Sequence, residues 1–428
     1  FYISSVNIFL LTLAITLLIN PFYIYDLGFL YSYIISLSLI LCSKILDSSK
    51  RFKTLLLTSI ISFLVSIPVS LYTFYQINVL SIIYNLFYVP FVNSILFPLA
   101  ILTLIFPFLD NVLLIFIRVL ETTSTAISTI SLGKLIFSKT IFIIYIIYFL
   151  VLYLLYHTRK KIFIIAFAVL LIFHYNIVTI FPKDYITMID IGQGDSILIS
   201  SKGKNMLIDT GGKMRYKGAK WEEVSSPANI TDNITIPYLK SKGIRKLDYL
   251  VLTHGDYDHL GEAINILQKF RVDQIYINEG HINYYEREII IINLGNFSFQ
   301  SLNKDLNDEN DSSIILYGVY DAYQMLFMGD ASTKSERELL KNYNLSKINF
   351  LKVGHHGSKT STSEELLKTV KPDIALISAG VDNKFHHPHQ VIIDRLLHYH
   401  IKYYLTSKVG SVEIYFSKNK YRIVPCIS

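Results

Sequence analysis

Thr253-His254-Gly255-Asp256-Tyr257-Asp258-His259-Leu260-Gly261 places two imidazoles and two carboxylates within six positions. The stretch follows Leu247-Asp248-Tyr249-Leu250-Val251-Leu252, an apolar run that reads as a buried strand. A turn that leaves a rigid strand end can curl several side chains onto one point. Imidazole nitrogens with carboxylate oxygens suit zinc or manganese, and this is more donors than one ion needs. The pattern therefore predicts a binuclear metal centre of the kind that generates hydroxide near neutral pH. The bland alternative is a polar turn that caps a helix, with Asp258 as the cap.

Outward from this turn, three neighbouring stretches end in chemistry-bearing residues. Met325-Leu326-Phe327-Met328-Gly329-Asp330 is an apolar strand closing on a carboxylate placed to bridge two cations. Capping a helix over Thr333–Asn344 is its alternative role. Leu351-Lys352-Val353-Gly354-His355-His356-Gly357-Ser358 ends on adjacent histidines. On an extended backbone these point opposite ways, so at least one is expected to bind metal. Asn383-Lys384-Phe385-His386-His387-Pro388-His389 either brings another histidine, such as His387, to the site or forms a solvent-facing loop. His157, His174, His281, His398 and His400 are read as surface or structural. Upstream, Asp190-Ile191-Gly192-Gln193-Gly194-Asp195 and Asp209-Thr210-Gly211-Gly212 are glycine turns at strand ends, where a backbone can approach a ligand or another loop.

Charge divides the chain. Of 40 basic and 33 acidic residues, ten and four fall in the first 181 positions, leaving 30 and 29 for the rest. The first part has the composition of a membrane protein and the second that of a soluble domain. The net charge of +7 is thus no general signal for nucleic acid. Apolar segments near 5–20, 28–46, 54–72, 79–107, 111–131, 135–157 and 162–181 approach the roughly 20 residues a bilayer span takes. The fourth, with Pro90 and Pro98, is too long for one simple helix and reads as two half-spans or a re-entrant segment. Pro68 is expected to kink the third. Arg118, Glu121 and the run Thr122-Thr123-Ser124-Thr125 place polar groups in the fifth, facing either a pathway or the membrane interface. Lys50-Arg51-Lys53 and Arg159-Lys160-Lys161 are expected on the cytoplasmic side, which puts the soluble part outside. Cys42 and Cys426 make no disulfide framework. The chain opens inside a hydrophobic run without Met and is expected to be a fragment.

The soluble part resembles a metallo-β-lactamase-fold domain, whose hallmark is a His-x-His-x-Asp-His turn. Asp256 stands where many members carry the second histidine. That substitution, with Asp190–Asp195 and Leu351–Ser358, resembles the ComEC family of competence channels. The membrane part agrees through Asn20-Pro21, Asp26-Leu27-Gly28-Phe29, Leu71-Tyr72-Thr73-Phe74-Tyr75-Gln76, Tyr84-Asn85-Leu86 and Val89-Pro90. Glu262 and His386 depart from glycines common in the family. Asn310-Asp311-Ser312-Ser313 resembles its Asn-x-Ser stretch and offers polar lining.

The resemblance implies a polytopic α-helical membrane domain over 1–182 and an α/β, αββα-sandwich metallo-β-lactamase-like domain over 183–428. It also implies a preceding membrane segment and an OB-like domain in the whole protein. The implied function is passage of single-stranded DNA across the cytoplasmic membrane, with the metal domain degrading the other strand outside. Membrane lipids and other competence proteins are the remaining implied partners.

The ligand assignment that follows gives His254 and Asp256 to one divalent cation, Asp258 and His259 to the other, and Asp330 to both, with His355 or His356 completing the set. Asp258, His259, His356 and Asp209 are the expected catalytic group, with Asp209 fixing a ligand or a water. Ser358, Lys359 and His387 are expected near substrate phosphates, and Arg118 and Glu121 in the channel. Two other readings stand beside this one. One is a channel whose metal domain only binds and guides the strand. The other is a membrane-anchored phosphoester hydrolase without transport.

Overall fold

In a computed structural model, residues 4–47, 50–130, 132–212, 229–278, 289–302 and 310–427 are described. The chain forms two compact units that meet between Tyr175 and Asn176.

The first unit is helical: α1 (Ser5–Ile19), α2 (Leu27–Leu41), the single turn α3 (Ser43–Leu46), α4 (Arg51–Thr73), α5 (Ser81–Phe91), α6 (Phe97–Ile105), α7 (Asp110–Thr129), α8 (Phe142–Thr158) and α9 (Ile162–Ile180). Among the described residues, Arg51–Thr73, Ser81–Ile105, Pro107–Ser128 and Ile162–Ile180 are long and apolar enough to cross a membrane. Pro68 lies inside α4 without ending it. α5 and α6 form one continuous 25-residue run, so the half-span and re-entrant readings of 79–107 do not hold. The junction is a π-turn over Val92–Leu96. It sits between Pro90 and Pro98, whose missing N–H groups break the regular ladder, and the wider turn keeps the helix going.

The sixth expected span is shortened at its start. Lys134–Ile136 forms β2, paired antiparallel with β1 (Gln76–Asn78), and α8 begins only at Phe142. His174 on α9 lies fully buried among Tyr148, Phe137 and Tyr145. Its Nε2–H donates to the Ser138 carbonyl at 2.9 Å, and Nδ1 lies 3.2 Å from the Tyr148 hydroxyl. It is a satisfied structural histidine that pins the segment after β2 to α8 and α9.

The second unit is a two-sheet sandwich. The first sheet runs, in spatial order, β16 (Lys420–Pro425), β15 (Val412–Ser417), β3 (Asp184–Met188), β4 (Ile197–Ser201), β5 (Lys204–Ile208), β6 (Lys246–Leu252) and β7 (Arg271–Ile277). The second runs β14 (Lys402–Leu405), β13 (Ile374–Ile377), β12 (Phe350–Lys352), β11 (Tyr323–Phe327), β10 (Leu316–Tyr320), β9 (Phe297–Ser301) and β8 (Ile291–Leu294). Strands β5 to β7 are mutually parallel, as are β11 to β14. Each sheet therefore gathers several strand C-termini on one edge.

Alternation assigns the faces. Met325, Phe327 and Phe350 enter the core between the sheets with Ile186, Ile199, Ile208 and Val251. Leu326, Met328 and Leu351 point the other way, onto α13 (Thr333–Asn342), α14 (Glu364–Val370) and α15 (Gln390–His398) through Leu339, Leu367 and Leu396. On the far side, α10 (Ile236–Ser241) and α12 (Ala263–Lys269) bury Leu239 and Ile266. The result is the expected αββα order of layers.

Phe416 on β15 joins the sheets at one end of the core. Its ring centroid lies 5.4 Å from Phe297, 4.9 Å from Tyr320 and 5.6 Å from Phe350. Phe416→Ala is expected to destabilise the second unit by about 3–5 kcal/mol. Denaturant unfolding followed by circular dichroism checks this, and an unchanged midpoint would remove the cluster from the inter-sheet core.

Candidate metal centre

β6 ends at Leu252, and the chain turns through His254 into α11 (Tyr257–Leu260). Asp256 occupies the cap position of α11, yet its side chain makes no capping bond. The helix-cap reading of Asp258 fails on position, because Asp258 lies inside the first turn. Likewise Ser332, not Asp330, caps α13. These carboxylates are left available for the site.

Two glycines let the turn sit where it does. A Cβ on Gly194, whose φ is +113°, would collide with the Asp258 carbonyl, and one on Gly212 with the Tyr257 carbonyl. The loops after β3 and β5 thus press directly on the 256–261 turn. A second clasp comes from the other sheet, where the Ser378 hydroxyl donates to the Gly194 carbonyl at 2.6 Å.

Three buried imidazoles have their Nδ1 atoms engaged. His259 Nδ1–H donates to Asp209 Oδ2 at 2.8 Å. His356 Nδ1–H donates to the Ser378 carbonyl at 2.9 Å. The Thr253 hydroxyl donates to Asp209 Oδ2 at 2.7 Å, so its oxygen accepts from His254 Nδ1–H at 3.0 Å. Asp209 also accepts from the Thr253 N–H at 2.8 Å. Each ring thereby has Nδ1 committed and turns Nε2 toward the site as the atom available to a metal.

The bare atoms converge. His259 Nε2 lies 3.2 Å from His356 Nε2 and 3.3 Å from Asp330 Oδ1. His356 Nε2 lies 3.5 Å from Asp258 Oδ2 and 3.6 Å from Asp330 Oδ2. His254 Nε2 lies 3.6 Å from Asp256 Oδ2 and 3.8 Å from Asp330 Oδ2, and His355 Nε2 is also 3.8 Å from Asp330 Oδ2. His355 and His356 reach the same centre because both adopt left-handed backbone angles, φ 46° and 52°, rather than an extended strand. The alternation expected from a strand is lost in that turn. His254 Nε2 and Asp330 Oδ1 are buried without a hydrogen-bond partner. Buried ligand atoms left without a partner, beside two imidazole nitrogens that lie 3.2 Å from each other, fit a bound cation.

Charge runs with the geometry. Burial opposes ionisation of Asp330, but His356, His259 and Lys352 outweigh it and hold the carboxyl well below the usual range. Burial likewise disfavours charge on His259, yet Asp330 and Asp209 hold it well above the ordinary imidazole value. His356 is raised by Asp330 and Asp195 against the same opposition from burial.

The remaining expected residues lie at the rim or apart. Ser358 is buried, with its hydroxyl 3.0 Å from Thr360 Oγ1, and Lys359 is exposed on the loop. The His387 ring lies 5.5 Å from His355 and 6.3 Å from His356, and burial followed by the His356 charge pushes it down to about 4. Ser313, from the polar Asn310–Ser313 stretch, accepts from the Asp330 N–H at 3.2 Å. Arg118 and Glu121 are exposed on α7 and belong to the helical unit. His281 lies outside the described residues.

Lys352 and Asp195 were not singled out by pattern, though both stand in the stretches quoted above. Lys352 is the inward-facing last residue of β12 and only 1% exposed. Its ammonium pairs with Asp195 across the sheets, donates to the Gly329 carbonyl at 3.0 Å and lies 3.8 Å from Asp330 Oδ1. The available signal was a lysine closing an otherwise apolar strand, since a charge there requires a buried partner.

Lys352→Met is expected to cost about 3–5 kcal/mol by stranding Asp195, while Lys352→Met with Asp195→Leu regains most of it. Thermal unfolding of the two variants distinguishes this from a pair of independent losses. The raised His259 and His356 values carry a second consequence. Their protons must leave before the Nε2 atoms ligate, so metal binding releases protons and weakens as pH falls. Titration of the metal-free chain in weak buffer at pH 7 is expected to acidify the solution, and pH-independent affinity from 6 to 8 would contradict the ligand set.

Residues 1–178 match the competence protein family and residues 189–294 the metallo-β-lactamase superfamily. ComE operon protein 3 of Bacillus subtilis (strain 168) is 30% identical over 459 residues, which cover 98% of this chain and 59% of that protein. Recombination protein 2 of Haemophilus influenzae is 34% identical over 251 residues, covering 56% of this chain and 30% of that protein. The chain thus spans less than two thirds of the length of these relatives. Among solved structures, the metallo-β-lactamase-fold protein YhfI of Bacillus subtilis aligns with 52% of this chain and 96% of its own, at 12% identity and a TM-score of 0.34. With a competence-family region followed by a metallo-β-lactamase superfamily domain, the chain bears out the resemblance to the ComEC family of competence proteins.

Proposed function

We propose that this chain is the channel and nuclease part of a DNA-internalisation protein. It passes one DNA strand across the cytoplasmic membrane while its C-terminal unit hydrolyses the other. The observation that carries this reading is the convergence of four imidazoles and three carboxylates on one point, in a chain whose other unit is a competence-family helical region.

His254, Asp256 and His355 suit one divalent cation, and Asp258, His259 and His356 a second, with Asp330 between them. Zinc and manganese both match this mixed nitrogen and oxygen set. Bound there, the two ions supply an acidified water and positive charge for the phosphoryl oxygens. The protein's own part is positioning. Asp209 orients His259 directly and His254 through Thr253. The Lys352 ammonium offsets the negative charge of Asp195 and Asp330. His387 and Lys359 line the approach to the site for a phosphodiester.

Lys50-Arg51-Lys53 and Arg159-Lys160-Lys161 favour the cytoplasmic side, which sets a multi-pass arrangement with the metal centre outside. On α7, Asn111, Arg118, Glu121, Thr122 and Thr125 recur at helical spacing along one exposed face. Such a stripe is costly against lipid and suits a water-filled path. The anchored-hydrolase alternative has no use for that stripe.

The test pairs two variants in the full protein. Asp209→Ala is expected to lower hydrolysis of single-stranded DNA about 10–100-fold, and Asp258→Ala by more, because it removes a ligand rather than its support. Import of ready-made single strands persists in Asp258→Ala and drops in Arg118→Ala, which still cleaves. Undiminished cleavage by metal-loaded Asp258→Ala sinks the nuclease, and normal import by well-inserted Arg118→Ala returns the chain to an anchored hydrolase. For orientation, exposed Cys426 is expected to react with an impermeant thiol reagent in intact cells carrying Cys42→Ser. Labelling only after lysis reverses the topology.

A further inference from the structure

We infer that a basic groove at the start of the second unit, far along the chain from the metal turn, binds the anionic phosphate headgroups of the membrane itself. The groove is an open cavity of about 660 Å³ lined by Lys183, Asp184, Tyr320, Tyr415, Phe416 and Arg422, among others. Its two cations flank one aromatic ring. Lys183 Nζ lies 5.9 Å from the Tyr415 centroid, and Arg422 is the cross-strand partner of Tyr415 in the β15–β16 pair. Lys183 and Arg422 are both exposed.

The one acid in the lining does not compete for these cations. Asp184 Oδ1 accepts from the Ser201 hydroxyl at 2.7 Å, and Oδ2 accepts from the Tyr320 hydroxyl at 2.9 Å and the Asn296 amide at 2.6 Å. Both of its oxygens are engaged by these neighbours, and its single negative charge stands against the two cations. The groove mouth is therefore positive, and exposed Lys418 and Lys420 on the adjoining hairpin turn add to it.

Chain connectivity names the occupant. α9 ends at Ile180, so Lys183 lies three residues beyond a helix long and apolar enough to span a bilayer. Three extended residues reach about 10 Å. The headgroup layer outside the hydrocarbon is roughly 5–8 Å deep. Phe416 pairs with Asp184 on one side and with Tyr421 on the other, so the hairpin turn lies at the same level as Lys183. The cations are interleaved with exposed Phe181 and Tyr421, the mixture found where protein meets a membrane interface. Edge-strand charges that block aggregation would account for Lys420 and Arg422 on β16. They do not account for Lys183, which precedes an interior strand. A DNA backbone would meet the same cations, but nothing tethers it within three residues of them.

The experiment uses the full chain in nanodiscs of phosphatidylcholine, alone or with added phosphatidylglycerol, and measures amide hydrogen exchange over residues 412–425. Anionic lipid is expected to slow exchange there by about fivefold for each basic residue engaged. Lys183→Glu with Arg422→Glu is expected to abolish the difference, while exchange in α13 to α15 and metal-dependent hydrolysis stay unchanged. If that variant misfolds, Lys183→Gln with Arg422→Gln carries the same test. Equal exchange in the two lipids, or lipid-dependent slowing that survives both substitutions, overturns the proposal. Slowing by a single-stranded oligonucleotide but not by anionic lipid reassigns the groove to nucleic acid.

Discussion

One buried carboxylate organises the metal-facing side chains. Asp209 accepts from the Thr253 backbone, the Thr253 hydroxyl and the His259 ring, and through that hydroxyl it governs His254. Burial alone would push a proton onto it, but the charge on His259 and these donors keep it ionised. An ionised acceptor forces His259 to present Nδ1–H inward and Nε2 outward. Without it, two of the three fully buried imidazoles of the candidate site lose the contact that fixes their tautomer and orientation.

The centre exists only where two sheets meet. Asp209, His254, Asp256, Asp258 and His259 follow strands of the first sheet, while Asp330, His355 and His356 follow strands of the second. Neither sheet holds enough donors by itself. The contacts that lock their edges together are polar and lie beside the ligand atoms: Lys352 to Asp195, and the Ser378 hydroxyl to the Gly194 carbonyl. An ion pair so deeply buried is weak evidence for added stability. Its placement explains it better, because it holds the two halves of the candidate ligand set at a fixed separation and adds a positive charge next to Asp330.

Chemistry and membrane are joined through one helix. α9 runs into Lys183 and then directly into β3, a strand inside the first sheet. The sandwich is thus tethered by a strand of its core layer rather than by a long linker. That short connection limits how far the groove around Lys183 and Arg422 can lie from the bilayer surface. The candidate metal turn, by contrast, follows the C-terminal end of β6, a strand separated from β3 in the sheet by β4 and β5.

Much of this was legible in the residues alone. Composition separated the helical region from the α/β region, and long apolar runs located its helices. His254-x-Asp256-x-Asp258-His259 after an apolar strand marked out the candidate metal turn, because ligand chemistry and strand periodicity are both local. Asp330, His355 and His356 were visible for the same reason, each closing an apolar strand. What stayed hidden depended on contacts distant in sequence or on backbone angles. The β1–β2 pair joins residues nearly sixty positions apart and shortens an apolar run that hydropathy assigns to a span. The left-handed turn at His355 and His356 brings both rings inward, where strand alternation would have sent one away. Lys352 and Asp195 gain meaning only as partners, since a charge at the end of a buried strand is intelligible once the opposite sheet supplies its counter-ion. Sequence determined which side chains were available for metal chemistry. The packing of one sheet on the other decided which of them face the same few ångströms, because that distance is set by the core between the sheets and not by spacing along the chain.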